Sequence, residues 1–125
     1  MIIKKTPLFQ TLGFAGLASS NAVLTSFIAE LDTEILFRKR KSILILPGGG
    51  YDYCSKREGE PVAHYFLSKG YNAYVLEYST AQHSQNTRFP IQLLEAMAAL
   101  HFIKQNAKDD FGDATDVSVI GFSAG

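Results

Sequence analysis

Residues 117–125 read VSVIGFSAG, a run of four strand-forming residues followed by Gly121, Ser123 and Gly125. β-branched residues such as valine and isoleucine are enriched in strands, so residues 117–120 predict a strand. The glycines on either side of Ser123 leave room for a sharp turn that larger side chains would crowd. The sequence therefore predicts a strand that ends in a tight turn with an exposed serine hydroxyl.

The pattern G-x-S-x-G is typical of a turn that presents a serine nucleophile. Acyl transfer needs a hydroxyl that can reach a carbonyl carbon, and a strained turn after a strand makes one accessible. The alternative is an ordinary strand-to-loop turn in which glycine and serine serve only the backbone. The strand directly before the turn favours the first interpretation, and we therefore expect Ser123 to be catalytic.

A second glycine-rich stretch, PGGGY at residues 47–51, follows the apolar run SILIL at residues 42–46. A short continuous apolar run predicts a strand that is buried on both faces of a parallel sheet. Consecutive glycines let backbone N–H groups turn toward a bound oxygen, as an oxyanion hole requires. A plain turn and a phosphate-binding loop are alternatives, although neither G-x-G-x-x-G nor G-x-x-x-x-G-K-[ST] is present.

Strand-like and helix-like segments alternate along the rest of the chain. This alternation predicts the α/β class, with βαβ units and a mostly parallel sheet flanked by helices. Besides the two strands already described, the predicted elements are strands at 22–31, 35–37 and 72–76, a turn at 32–34, and helices at 60–69 and 90–107.

The start of the first predicted helix is a choice between two signals. Ser55 and Glu58 have the spacing of a capping box, but a helix from Ser55 would place Pro61 in its interior. A start at Glu60 puts this proline in the first turn, where its missing N–H costs nothing. We therefore predict that the helix begins at Glu60 and is capped by Gly70.

The N-terminal segment permits two interpretations. Lys4 and Lys5 precede a fairly apolar stretch and small residues at 18–20, which is the outline of a secretory signal. Polar and turn-forming residues, among them Pro7 and Gly13, interrupt the apolar stretch. An irregular first strand or arm is therefore the preferred interpretation.

Length and composition indicate one folded domain. The chain has 125 residues, of which 46% are hydrophobic and 19% charged. Twelve basic and twelve acidic residues balance, so nothing suggests a nucleic acid or a membrane surface as partner. Cys54 is the single cysteine and cannot form an internal disulfide, which predicts a reducing compartment and a cytoplasmic location.

Together, PGGGY, NAYVLEYS, FPIQLLEAMAAL and VSVIGFSAG resemble the esterase and lipase group of α/β-hydrolases, above all small bacterial acetylesterase and xylan-esterase-like enzymes. In that group a glycine-rich loop follows the third strand and the serine turn follows the fifth. The resemblance covers the chain from about residue 22 and implies hydrolysis of a small-molecule carboxylic ester without metal or cofactor, often of acetyl groups on carbohydrates. Pro47 stands where the lipase-type HGGG loop has histidine, which fits the acetylesterase-like branch.

The resemblance also implies the roles of individual residues. By motif position, Ser123 is the nucleophile, and the N–H groups of Gly49, Gly50 and Ala124 form the oxyanion hole. Tyr51, directly after the loop, either lines the substrate pocket or merely anchors the loop.

The order of the catalytic triad in these enzymes is serine, then an acidic residue, then histidine. No residue follows Gly125, so the resemblance implies that residues 1–125 are the N-terminal part of one α/β-hydrolase domain, truncated after the nucleophile turn and inactive alone. A non-catalytic remnant or interaction module with the same half-fold is the alternative. The oligomeric state cannot be predicted.

We expect structural roles for the other reactive side chains. His64 and His101 lie on the predicted helices and His83 in a polar loop, all before the serine, so we expect surface or packing histidines. Cys54 lies outside the serine turn and is expected to fill space. The charged residues 56–58 are expected to form a solvated face.

Overall fold

The computed structural model describes residues 1–30 and 39–125. The elements in chain order are β1 (Ile2–Pro7), α1 (Leu8–Leu12), β2 (Val23–Ile28), β3 (Arg40–Leu46), α2 (Glu60–Ser68), β4 (Tyr71–Glu77), α3 (Ile91–Asn106) and β5 (Gly112–Gly121). One turn of 3-10 helix, Lys56–Glu58, precedes α2.

The strands form one mixed sheet in the order β1-β2-β4-β3-β5. β3 pairs in parallel with β4 and with β5, whereas β2 is antiparallel to both β1 and β4. The three parallel strands are the ones that α2 and α3 connect, as expected for crossover connections. The α/β prediction is confirmed, but the sheet is mixed rather than mostly parallel, because the N-terminal strands add two antiparallel pairings to the two parallel ones.

The predicted elements agree with the observed ones except at some ends. α2 begins at Glu60 with Pro61 in its first turn, and Ser55 makes no side-chain cap, so the choice of start was right. Strand 22–31 is observed as Val23–Ile28, while the predicted turn 32–34 and strand 35–37 lie outside the described residues. β5 begins earlier than predicted because Gly112 pairs with Arg40 of β3. The register then shifts, and the ladder resumes where Val117 pairs with Ser42.

The N-terminal segment forms part of the sheet and the core. β1 pairs with β2 along its whole length, from Ile2 opposite Ile28 to Pro7 opposite Val23. Leu8 of α1 has no exposed surface. The segment therefore contains a first strand, as the preferred interpretation has it, but this strand is regular and is followed by α1, which the sequence did not predict.

The hydrophobic core occupies both faces of the sheet. Alternate residues of β3 point to opposite sides, so Leu44 packs toward α3 while Ile43 and Ile45 pack toward α2. β4 divides its residues in the same way. This double burial explains why residues 42–46 are apolar without alternation.

A buried carboxylate lies within this core. Glu95 of α3 has no exposed surface and accepts hydrogen bonds from the Ser79 N–H at 2.7 Å, the Ser79 hydroxyl at 2.6 Å and the Ser20 hydroxyl. Burying a carboxylate is costly unless hydrogen bonds replace its hydration. Glu95 therefore ties α3 to the segment after β4 and to the chain before β2.

The outer side of α3 carries apolar side chains that contact solvent. Leu93, Leu94 and Met97 are 50%, 42% and 57% exposed, and we call them the α3 apolar face. Val119 is also half-exposed, on the strand β5 at the end of the sheet. None of the helices in the described ranges is long and apolar enough to cross a membrane.

Candidate active site

The parallel pairing of β3 with β5 brings the two glycine-rich motifs to the same edge of the sheet. The two strands end together, with Leu46 opposite Gly121. The Phe122 N–H donates a hydrogen bond of 3.0 Å to the Leu46 carbonyl and so continues the ladder beyond the strand. The loop after β3 and the serine turn after β5 therefore start side by side.

One point of contact between the motifs is Gly48. A Cβ atom on Gly48 would lie 3.0 Å from the Ser123 Cβ and 2.6 Å from the Phe122 carbonyl oxygen, too close for any side chain. The sequence indicated Gly49 and Gly50 as site residues but did not single out Gly48. The only signal was its position as the first glycine of the run.

The serine turn is strained and sterically closed. Ser123 is exposed and has a φ of 53°, in the left-handed region that costs a residue other than glycine about 1–3 kcal/mol. The Gly125 N–H closes the turn with a hydrogen bond of 2.8 Å to the Phe122 carbonyl. A Cβ on Gly121 would lie 2.5 Å from the Gly125 carbonyl oxygen, so the turn requires a glycine there.

The loop after β3 also has left-handed backbone. The φ angles of Gly49, Gly50 and Tyr51 are 137°, 63° and 63°. A Cβ on Gly49 would collide with the Tyr53 carbonyl. The loop folds back on itself through a hydrogen bond of 3.1 Å from the Asp52 N–H to the Gly49 carbonyl.

The predicted oxyanion donors have no partner within the described ranges. The N–H groups of Gly49, Gly50 and Ala124 donate no hydrogen bond to another described residue. The Gly48 N–H, in contrast, donates to a carboxylate oxygen of Glu58 at 3.1 Å. Backbone donors at this edge are thus available for the oxygen of a ligand, as the chemistry of an oxyanion requires.

A tyrosine hydroxyl holds the start of the loop. The buried Tyr78 donates a hydrogen bond to the Pro47 carbonyl, and burial raises the pKa of Tyr78 to about 12. The hydroxyl therefore remains protonated near neutral pH and acts as a donor. Tyr78 follows β4, so the central strands of the sheet support the loop.

A cavity of about 530 Å³ borders the serine turn. Tyr51 and Ala124 lie on its wall with apolar residues of β3 and α3, including Leu46 and Leu93. Tyr51 is half-exposed and packs edge-on against Tyr78 at 6.1 Å between ring centroids. Its position is compatible with both roles that the sequence left open, pocket lining and loop anchoring.

Cys54 is half-buried and unsuited to nucleophilic chemistry. Its Sγ lies 3.8 Å from the Tyr78 carbonyl oxygen, and its side chain packs against the core. Burial raises the pKa of the Cys54 thiol to about 11, so the thiolate is scarce near neutral pH. The structure agrees with a packing role.

No histidine activates Ser123 among the residues that the structure describes. His64 pairs with Glu60 across one turn of α2 at 3.2 Å, and His101 is exposed on α3. The Ser123 hydroxyl forms no hydrogen bond with any of the described side chains. The described residues also contain no group of three or more His, Cys, Asp or Glu side chains that could hold a metal ion.

The prediction for residues 56–58 was only partly right. Lys56 and Arg57 are exposed, but Glu58 is half-buried and its carboxylate points to the Gly48 backbone. Glu58 therefore belongs to the site rather than to a solvated face. Sequence reasoning missed it because a charged cluster by itself does not indicate which member contacts a loop ten residues earlier.

The BD-FAE family model matches residues 36–125, which include both glycine-rich motifs. The chain belongs to the BD-FAE family. The resemblance to esterase-like α/β-hydrolases that the motifs predicted is thereby confirmed.

Solved structures similar to this BD-FAE chain have the α/β-hydrolase fold. MGS-M1, an α/β hydrolase from a Medee basin deep-sea metagenome library, is 40% identical with a TM-score of 0.84, and the match covers 100% of this chain and 48% of that one. An acetyl ester-xyloside bifunctional hydrolase from Caldicellulosiruptor lactoaceticus is 27% identical with a TM-score of 0.78, over 97% of this chain and 43% of that one.

A curated relative of this BD-FAE chain is similar over a shorter region. Endo-1,4-beta-xylanase B of Butyrivibrio fibrisolvens is 38% identical over 87 residues, which are 70% of this chain and 14% of the xylanase. The chain thus spans less than half the length of each of these three relatives.

Proposed function

We propose that the chain carries the nucleophile and the oxyanion hole of a serine-dependent carboxylic ester hydrolase. One observation carries the proposal: the exposed Ser123, in a left-handed turn, packs against a glycine loop whose N–H groups at Gly49 and Gly50 have no partner among the described residues. Strained serine turns next to unpartnered backbone donors are what acyl transfer needs.

The reaction would begin when the Ser123 Oγ attacks the ester carbonyl carbon and loses its proton to a base. The carbonyl oxygen would become an oxyanion that accepts hydrogen bonds from the N–H groups of Gly49, Gly50 and Ala124. Loss of one good donor from such a hole costs about 10²–10³ in rate. The alcohol leaves with a proton, and water then releases the acid from the acylated serine.

A serine hydroxyl stays protonated near neutral pH and is a weak nucleophile without a general base. Within the described ranges Ser123 has no such base, and the relatives with solved structures are about twice as long. We therefore propose that the catalytic acid and histidine lie outside residues 1–125. The chain alone is then expected to be acylated slowly and not to turn over efficiently.

Acetyl esters of carbohydrates are the proposed substrates. A solved relative is an acetyl ester-xyloside bifunctional hydrolase, and a curated relative is a xylanase, so both act on xylose-containing compounds by name. The proposed mechanism needs no cofactor. A cytoplasmic location, based on the single cysteine Cys54, remains a prediction.

The second candidate is a non-catalytic module that keeps the half-fold. Two observations favour it. The Ser123 hydroxyl has no hydrogen-bond partner within the described ranges, and the α3 apolar face is exposed. In this case Ser123 would have no special reactivity.

Mapping of acetyl groups separates the two candidates. The chain is incubated with p-nitrophenyl acetate, and the acetylation of each serine is followed by peptide mass spectrometry. Ser118 is the internal control because it is exposed on β5 but lies outside the turn. We expect Ser123 to be acetylated at least about tenfold faster than Ser118, from oxyanion stabilisation alone. Equal rates, or an unchanged release of p-nitrophenol from Ser123→Ala, would support the non-catalytic module.

A further inference from the structure

Glu58 places a carboxylate at the backbone of the candidate oxyanion loop. It ends the 3-10 turn before α2 and is half-buried, and its Oε1 accepts the Gly48 N–H at 3.1 Å. The same Oε1 and the Ser123 Cβ each lie 3.0 Å from the position that a Cβ on Gly48 would occupy. The carboxylate and the serine therefore contact the same buried glycine.

One backbone N–H group at the start of the loop has no hydrogen-bond partner among the described residues. Among the described residues, the Gly49 N–H is the one backbone polar group between the Pro47 carbonyl and the Gly49 carbonyl that lacks a partner. The others are bonded as follows: the Pro47 carbonyl to the Tyr78 hydroxyl, the Gly48 N–H to Glu58, the Gly48 carbonyl to the Ser55 N–H at 2.8 Å, and the Gly49 carbonyl to the Asp52 N–H.

We propose that Glu58 is a positioning residue of the oxyanion loop, which binds the Gly48 N–H and so leaves the Gly49 N–H to face the ester oxygen. This inference rests on the proposed function, because it assigns a role within that same site. The inference also gives the two glycines different roles. Gly48 allows the close packing, and the Gly49 N–H donates the hydrogen bond to the oxyanion.

The physical reason is the cost of leaving a buried N–H without a partner beside glycines that change conformation easily. Gly48 is buried, so without Glu58 its N–H would lose its partner and gain no water in exchange. The peptide unit between Pro47 and Gly48, which carries this N–H, could then rotate toward another partner and would shift Gly49 and Gly50, whose left-handed backbone is accessible to glycine. Such a rotation moves the donors away from the position of the oxyanion. Within the described ranges Glu58 forms no ion pair, so the carboxylate is free to serve the loop.

The test uses three variants of the chain. Glu58→Ala removes the acceptor, Glu58→Gln keeps an oxygen acceptor without the charge, and Glu60→Ala is the matched control because this exposed neighbour pairs only with His64 among the described residues. Amide hydrogen exchange at Gly48 is measured by NMR, and the amides of β3 report that the sheet remains folded. The rate of Ser123 acetylation is measured against the concentration of p-nitrophenyl acetate.

We expect Glu58→Ala to speed Gly48 exchange at least tenfold and to lower the maximal acetylation rate about tenfold, with the half-saturating ester concentration changed less than twofold. Glu58→Gln should restore most of both properties, and Glu60→Ala should match the unmodified chain. Gly48 exchange that is equally fast with and without Glu58 overturns the inference.

Two further outcomes separate the inference from the function on which it rests. If Gly48 exchange depends on Glu58 but all variants acetylate Ser123 at the same elevated rate, the role is purely structural and the inference fails while the proposed function stands. If Ser123 reacts no faster than Ser118 in the unmodified chain, the proposed function itself fails, and the positioning role fails with it.

Discussion

Ser123 packs against the backbone of Gly48 so closely that a Cβ atom on the glycine would lie 3.0 Å from the Ser123 Cβ. The two residues are far apart in the chain but follow neighbouring parallel strands, β3 and β5. The contact depends on a residue without a side chain at position 48, because the Phe122 carbonyl oxygen approaches from the same side.

Gly48→Ala is therefore expected to destabilise the fold by about 1–3 kcal/mol, because the added methyl group meets backbone atoms that cannot turn away. Urea denaturation followed by circular dichroism measures the change. Gly16→Ala is the matched control, since no atom of the described residues lies within 4 Å of a Cβ there. Equal midpoints for the two variants would show that the contact between the motifs is looser than described.

Glu95→Ala should destabilise the chain by about 2–4 kcal/mol. The substitution leaves the Ser79 N–H and two buried serine hydroxyls without their acceptor and opens a cavity beneath α3. The same denaturation experiment tests this expectation. Gln105→Ala, an exposed position on the same helix, should change stability by no more than about 0.5 kcal/mol. A loss for Glu95→Ala as small as that of the control would contradict the assigned hydrogen bonds.

The Cys54 thiol is expected to react slowly with a thiol reagent in the folded chain. Burial raises its pKa to about 11, so native reactivity should keep rising with pH well beyond the point at which the thiol of the urea-unfolded chain is fully ionised. Because folding raises the pKa of Cys54, the neutral thiol contributes to the stability of the fold. This contribution is fully present below the pKa of the unfolded thiol and is lost as the pH rises through about 11. Reaction rates with 5,5′-dithiobis(2-nitrobenzoic acid) between neutral and alkaline pH, with and without urea, test the prediction. Identical pH profiles in both states would refute it.

The α3 apolar face should make the isolated chain self-associate. Leu93 and Met97 are half-exposed or more on this face, and Val119 adds apolar surface on β5. Leu93→Ser with Met97→Ser is expected to lower the association measured by sedimentation velocity over a range of concentrations. Tyr65→Ser is the control, because it removes an equally exposed apolar residue from α2 on the other side of the sheet. A monomeric unmodified chain with a cooperative melt would contradict the prediction.

Several elements could be predicted from the sequence because their signals are local. The apolar run 42–46 corresponds to the buried part of β3, and Pro61 marked the first turn of α2. The first half of β5 could not be predicted in this way, because Gly112 joins the strand only through its pairing with Arg40 of β3, and the residues between it and Val117 lie at a register shift.

The candidate site was likewise predictable only where its signal in the sequence is local. The motif around Ser123 indicated a strained turn, and the structure has a left-handed serine there. The contribution of Glu58 was missed, because nothing near residue 58 in the chain indicates that its carboxylate meets the N–H of Gly48. The roles of Gly49, Gly50 and Ala124 as oxyanion donors remain predictions that acetylation experiments can test.

The sequence by itself determined where strands end in glycine-rich turns and which segments of the chain are apolar. These properties depend on steric limits and side-chain chemistry within a few residues. Only the tertiary structure decided that β5 pairs with β3, that Gly48 receives the Ser123 side chain, and that Glu58 binds the loop. Such contacts depend on chain segments that are distant in sequence, and their free energy is gained only when the sheet has formed.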